Sequence, residues 1–399
     1  MQARLEEVPG VMTDRTRFVI LMVTAPILAY TLVGGLLGRV VAQEDTYRHL
    51  RVFEDVVSIV TDNYVEPVEP ERLMQGALWG LAEGLDPESA YLTPDDLSQY
   101  ETDDASGEVG VGLVLTRQYY IQVVAARDGS PAAAAGLRPG DYIRAIDDNP
   151  TRIMSVVRGR QLLRGEPGSI LTLTIIRGNA AEPVEVELER GGGRSANVTS
   201  RLVAPGVGYL RIAEFDDTTT DAIEAATGTL DRQRAERLLI DLRGTATGAF
   251  ESGIDAARLF TSADTLVIRE SSTEQEPVNG AGEPAIAWPV VILTDPGTAG
   301  AAELFAAALT DTDRAETVGL RTAGRVAEQT LIRLPDGGGL LLSSTRYLTA
   351  SGEPIHRVGV EPAVVVPVPT VELGQAVADP DLDPVLDRAL EHLAAMPTV

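Results

Sequence analysis

A chain of 399 residues can bury two or three hydrophobic cores, and 44% apolar with 23% charged residues describes folded protein rather than a disordered tract. A formal charge of −26 argues against a nucleic-acid partner, whose phosphates such a surface repels. Cysteine is absent, which excludes disulfides, thiolate metal sites, a cysteine nucleophile and a lipidated cysteine; lysine is absent too, so all 33 basic residues are arginine, and no cofactor or metal is expected.

Residues 18–38 run uncharged for 21 positions between Arg17 and Arg39, enough to cross a hydrocarbon core of roughly 30 Å. The expectation is a short cytoplasmic tail (1–17), a single-pass anchor in the cell membrane (18–38) and an extracytoplasmic body. A cleaved signal peptide ending near Val40-Val41-Ala42 is the alternative. Segment 43–104 reads as helical: Leu50, Phe53, Val56, Val57 and Val60 repeat at three and four, and a second helix opens at Pro70-Glu71 over Leu73, Met74, Ala77, Leu78 and Leu81.

From 105 to 191 the pattern turns to short β-runs punctuated by glycine: Gly110-Val111-Gly112-Leu113, a strand at 121–124, Ser130-Pro131-Ala132, Ala135-Gly136-Leu137, Pro139-Gly140-Asp141 and a strand at 142–146. A helix at 155–163 and a strand at 170–177 complete the unit, and the glycines at 191–193 read as an exit linker. Over 192–370, strands at 207–212, 237–242 and 290–294 alternate with helices near 219–230, 251–260 and 298–310, the signature of an α/β layered core. A last helix at 382–393 falls in segment 371–399.

The glycine-punctuated unit strongly resembles a bacterial PDZ domain. In that resemblance the amides of Gly110, Val111, Gly112 and Leu113 cup a terminal carboxylate, and the following strand with helix 155–163 forms a groove lined by Leu113, Val157 and Leu162 or Leu163. The flanks narrow it further. Leu85-Asp86-Pro87-Glu88-Ser89-Ala90-Tyr91-Leu92, Gly208-Tyr209-Leu210-Arg211-Ile212, Leu239-Ile240-Asp241-Leu242-Arg243, Thr345-Arg346-Tyr347-Leu348-Thr349 and Gly359-Val360-Glu361-Pro362 resemble, in order and spacing, the carboxyl-terminal processing proteases. That resemblance implies a crotonase-like α/β core with the PDZ domain inserted as a lid, and an endopeptidase that recognises protein carboxyl termini.

The same resemblance implies a serine–lysine dyad, with a glutamine one helical turn from the lysine. Counting back from Glu303, the serine position falls on Gly300; the lysine position falls on Arg325, and the glutamine is Gln329. Glycine brings no nucleophile. Arginine, with a pKa above about 12, is neutral in fewer than roughly one molecule in 100,000 near pH 7 and cannot accept the proton. Oxyanion-type backbone donors are implied at Gly248 and Ala301, with Thr247 in place of a glycine. A relocated nucleophile, Thr298 or Ser343 with His356 as base, is the alternative, against a plain exposed loop histidine. The expectation is an inactive homologue that binds peptide or protein tails. Its expected partners are carboxyl-terminal tails, the membrane, and an active paralogue or a second copy. A purely structural subunit with a closed groove is the third possibility.

Overall fold

The computed structural model describes Met22 and residues 50–102, 109–178, 180, 182–192, 195–368, 373 and 382–396. The expected anchor over 18–38 lies, except for Met22, outside the described residues, and among those described no helix is long and apolar enough to cross a membrane. The chain divides into two compact units, residues 1–77 and 78–399. The first carries a helix over 50–63 (α1), whose stripe residues Leu50, Phe53 and Val56 are exposed. A second helix, α2 (Pro70–Glu83), has the expected proline start.

Segment 43–104 is not wholly helical. Between α2 and α3 (Pro94–Thr102) lies a strand, β1 (Ala90–Leu92), too short for any periodicity to announce, with Tyr91 and Leu92 buried.

The next unit is an antiparallel sheet of β2 (Leu113–Gln118), β3 (Tyr120–Ala126), β4 (Tyr142–Ile146), β5 (Asn149–Pro150), β6 (Ile170–Ile176) and β7 (Val184–Glu189). Its order is β2-β3-β4-β6-β7, with β5 paired to β4, which leaves β2 on the free edge. Two helices close it, α4 (Pro131–Ala134) and α5 (Val156–Leu163), capped by the hydroxyls of Ser130 and Ser155. Leu373, from the connection toward the last helix, packs against this domain's apolar cluster.

The core begins with β8 (Val198–Ala204) and β9 (Val207–Ile212), then α6 (Thr219–Arg232), β10 (Arg237–Asp241) and α7 (Phe250–Arg258). It continues through β11 (Thr265–Ser271), β12 (Gln275–Asn279), β13 (Val290–Thr294), α8 (Ala301–Thr310) and β14 (Ala315–Gly319). It ends with β15 (Ala327–Arg333), β16 (Gly339–Thr349), β17 (Val364–Val365) and α9 (Pro384–Ala395). One sheet runs β17-β14-β13-β10-β9-β8, parallel except for β8. Its central strand β13 is buried at every residue, as an unbroken apolar run demands between two covered faces. Leu238, Ile240 and Ile292 face a cluster shared with α6–α8, while Leu239, Val291 and Leu293 face Val385, Ala389 and Leu393 of α9.

A second, antiparallel sheet, β1-β16-β11-β12 with β15 also paired to β16, packs Val267 and Tyr347 on the other side of the α7–α8 layer. Thus β1 is the edge of a core sheet, Ala90 opposite Leu341. Phe305 of α8 centres the layer, its ring 5.6 Å from those of Phe215 and Phe260. The PDZ-like domain docks through Arg211, which grips the Asp128 carboxylate with two N–H groups at 2.9 and 3.1 Å. Val157 of α5 packs with Leu92, Leu97 and Leu341.

Candidate functional site

The parallel sheet ends in a strand–turn–helix. Strand β13 delivers Asp295, whose carboxylate accepts the N–H groups of Gly244 at 2.8 Å and Gly297 at 3.0 Å. Gly300 then takes φ 64° and ψ −122°, a conformation strained for any residue with a Cβ, and Ala301 starts α8. This is the geometry in which a nucleophile elbow lifts a side chain off the end of a sheet. Here it lifts a hydrogen: a Cβ at Gly300 would meet only ordinary van der Waals contacts, with Phe250 Cε1 at 3.7 Å and the Arg325 carbonyl at 4.0 Å.

Beneath the turn lies Glu303, fully buried. Its Oε2 accepts the Gly300 N–H at 3.2 Å and the Arg325 N–H at 2.7 Å. Its Oε1 accepts the Thr322 hydroxyl and the Gly324 N–H, each at 2.5 Å. Burial pushes the carboxyl above its ordinary range, while these four donors pull the other way. One side chain therefore fixes the turn at 300 and the loop at 325 against each other.

Arg325 does not point freely into the cleft. Its Nε donates to Glu88 Oε1 at 2.5 Å, and the Gln329 amide donates to the Glu88 carbonyl. The expected helical turn between 325 and 329 is absent. Gln329 lies on β15, opposite Ser343 of β16, because antiparallel pairing with β16 satisfies the backbone of Ala327–Arg333 in a ladder. The loop at Gly248 is pinned by Phe215, whose N–H reaches the Thr247 carbonyl at 3.1 Å and whose carbonyl takes the Ala249 N–H at 3.0 Å. Among the described residues no protein acceptor takes the N–H of Gly248 or of Ala301.

The proposed stand-in nucleophiles are not gathered. Thr298 is buried, its hydroxyl donating to the Leu242 carbonyl at 2.9 Å. Ser343 donates to Asp86 Oδ1 at 3.1 Å. His356 is buried rather than exposed, its Nδ1 without a partner and hydrogen-bonded to neither hydroxyl. Burial holds its imidazole below the ordinary 6.5, opposed by Glu88 and Asp86.

In the PDZ-like domain, the N–H groups of Gly110, Val111 and Gly112 likewise meet no protein acceptor among the described residues. Gly112 has φ 79°, and a Cβ there would lie 2.2 Å from Ser130 Cβ, so the loop can take this path only as glycine. Leu113, Val157 and Leu163 border the same cavity; Leu162 does not, lying against the domain's own cluster. This cavity, about 1040 Å³, is lined both by the loop at 110–112 and by Gly248, Gly300, Arg325 and Gln329.

Sequence reasoning gave Glu303 a place but no role and quoted Glu88 only within a motif. Two partners of Glu88, Arg325 and Gln329, lie 237 and 241 residues away, a pairing no local pattern carries.

A PDZ-type domain joined to an α/β core with an elbow turn defines the class as a peptidase fold carrying a PDZ domain. Family descriptions agree: residues 206–366 match Peptidase family S41 and residues 122–177 match the PDZ domain. The carboxyl-terminal-processing protease of Synechocystis sp. is 31% identical over 306 residues, covering 74% of this chain and 71% of that protein. The carboxy-terminal-processing protease of Bartonella bacilliformis is 29% identical over 339 residues, covering 83% and 78%. Among solved structures, the photosystem II D1 C-terminal processing protease superposes with a TM-score of 0.68 at 29% identity, covering 79% of this chain and 86% of that one. The chain belongs to peptidase family S41, among the carboxyl-terminal processing proteases.

Glu303 generates a test of the site's architecture. Glu303→Gln keeps the volume but turns an NH2 group toward two of the four donors. It should destabilise the body by about 2–4 kcal/mol, read as a lowered denaturant midpoint. An unchanged midpoint would show that the four hydrogen bonds do not hold the turn.

Proposed function

We propose that this protein is a membrane-anchored, extracytoplasmic member of the family that binds protein carboxyl termini without cleaving them. One observation carries the reading: the elbow presents Gly300, which has no nucleophile, and the base position is held by Arg325, permanently charged and ion-paired to Glu88. Losing a nucleophile alone costs about a million-fold in a triad protease. The amides of Gly110, Val111 and Gly112, which meet no protein acceptor among the described residues, support the binding half, since closely spaced N–H donors suit a carboxylate. The bound partner is a protein tail, with an active paralogue or a second copy as a regulatory companion. A relocated nucleophile has less support, because the Thr298 and Ser343 hydroxyls are committed elsewhere and His356 reaches neither.

Purified residues 43–399 should turn over neither unfolded proteins nor tailed peptides and should not label with a fluorophosphonate probe. Thr298→Ala, Ser343→Ala and His356→Ala should leave that silence unchanged. Turnover lost in any of the three would establish the relocated nucleophile instead. Gly300→Ser with Arg325→Lys should restore little, since a displacement near 1 Å can cost about a hundred-fold.

Peptides with apolar free carboxyl termini should bind the same body with an affinity on the order of micromolar, about −8 kcal/mol. Their amidated forms should not, and acidic tails should bind more weakly at low salt, given the chain's charge of −26. Calorimetry decides: equal binding of free and amidated peptides removes the carboxylate cup, and no binding of either leaves a structural subunit.

The anchor rests on the uncharged run at 18–38. Protease added to intact spheroplasts should digest the body, and survival until lysis would reverse the orientation.

A further inference from the structure

A base and a structural cation make opposite demands on a side chain. To take a proton, a base must shed its charge; to hold an ion pair, a cation must keep it. Arginine at position 325 keeps its charge, and its surroundings are built around it. The guanidinium reaches Glu88 Oε1 at 2.5 Å, and the same oxygen accepts the Thr116 hydroxyl at 3.3 Å. Glu88 is itself held in place. Asp86 Oδ1 accepts its N–H at 2.9 Å and that of Ser89 at 2.7 Å, and the Gln329 amide holds its carbonyl. At the other end, the Arg325 N–H is anchored on Glu303 at 2.7 Å. The two charged side chains retain 21% and 11% of their exposure, so water and salt screen them far less than a surface pair.

The position of Thr116 gives this cluster its consequence. Thr116 lies on β2, the free edge of the PDZ sheet and the strand that leads away from the amide loop at 110–112. Three segments distant in sequence therefore meet at one carboxylate: the edge strand of the PDZ domain, the segment before β1, and the loop entering β15.

We propose that Glu88 and Arg325 form a latch that fastens the free edge strand of the PDZ domain to the remodelled base position, and that Arg325 is a positioning residue. The latch goes beyond tail binding and stands whether or not a tail binds. A guanidinium suits it better than an ammonium, being planar, always charged and able to donate from Nε while its remaining N–H groups stay available.

Backbone hydrogen exchange on residues 43–399 without peptide tests the proposal. Glu88→Gln, nearly isosteric, and Arg325→Met should each raise exchange over 113–118 by about tenfold, as expected when a mostly buried pair loses one member. Exchange over 290–294, in the middle of the core sheet, should stay as in the unaltered chain. Glu88→Arg alone should open β2 further, and combining it with Arg325→Glu should bring exchange back toward the unaltered level. Unchanged exchange over 113–118 in both single variants would overturn the latch. So would a charge-reversed pair exchanging as fast as the singles. Should Arg325→Met speed exchange over 290–294 as well, Glu88→Gln, which touches no strand of the parallel sheet, decides between the two outcomes.

Discussion

A single buried carboxylate holds the site together. Glu303 sits beneath the start of α8 and accepts four hydrogen bonds, two from the loop at 322–324, one from position 325 and one from position 300. Burying a carboxylate is costly, and this one is tolerable only because every acceptor position meets a donor. The consequence is rigidity: the helix start and the loop before β15 cannot move apart without stranding a buried charge. The elbow at Gly300 keeps its left-handed backbone, a conformation that glycine adopts without strain, although no side chain there requires it.

The remaining polar groups follow from that fixed point. With the N–H of Arg325 tied to Glu303, its side chain extends toward Glu88 and thence to Thr116 on the PDZ edge strand. A hydrogen-bonded line thus runs from the elbow to the strand that follows the loop at 110–112. Among the described residues, the amides of 110–112 and of 248, which line the intervening cavity, meet no protein acceptor. Backbone donors left without acceptors beside a cavity are open to a ligand anion, and in a chain of net charge −26 they are local exceptions to its overall repulsion of anions.

Much of the fold was legible because its strongest elements have strong local signals. The run Val290–Leu293 is apolar at every position, and β4 and β9 lie at the bounds expected for them, 142–146 and 207–212. The PDZ helix was expected at 155–163 and runs from Val156 to Leu163, with Ser155 as its cap. Elements that escaped are edge or surface strands, such as β12 and β15, whose residues are mostly exposed and carry no apolar period. The helical turn expected between Arg325 and Gln329 failed for a related reason: in Ala327–Arg333, pairing with β16 decides the conformation, and local propensity does not. His356 was expected in the open and is buried, since its loop is covered by segments that no local window contains.

By itself the sequence determined the residue inventory at each position that matters. Glycine stands at 300, arginine at 325, no lysine exists to replace it, and glycines stand at 110 and 112. Those are facts of covalent chemistry, fixed before folding. Only the tertiary structure decided what the surviving groups do. It set Glu88 against Arg325 across 237 residues, buried Thr298 with its hydroxyl turned to Leu242, and joined the groove and the elbow in one cavity. Hydrogen-bond partners and burial depend on which distant segments pack together, and that is settled by the summed packing of the whole chain rather than by any window of it.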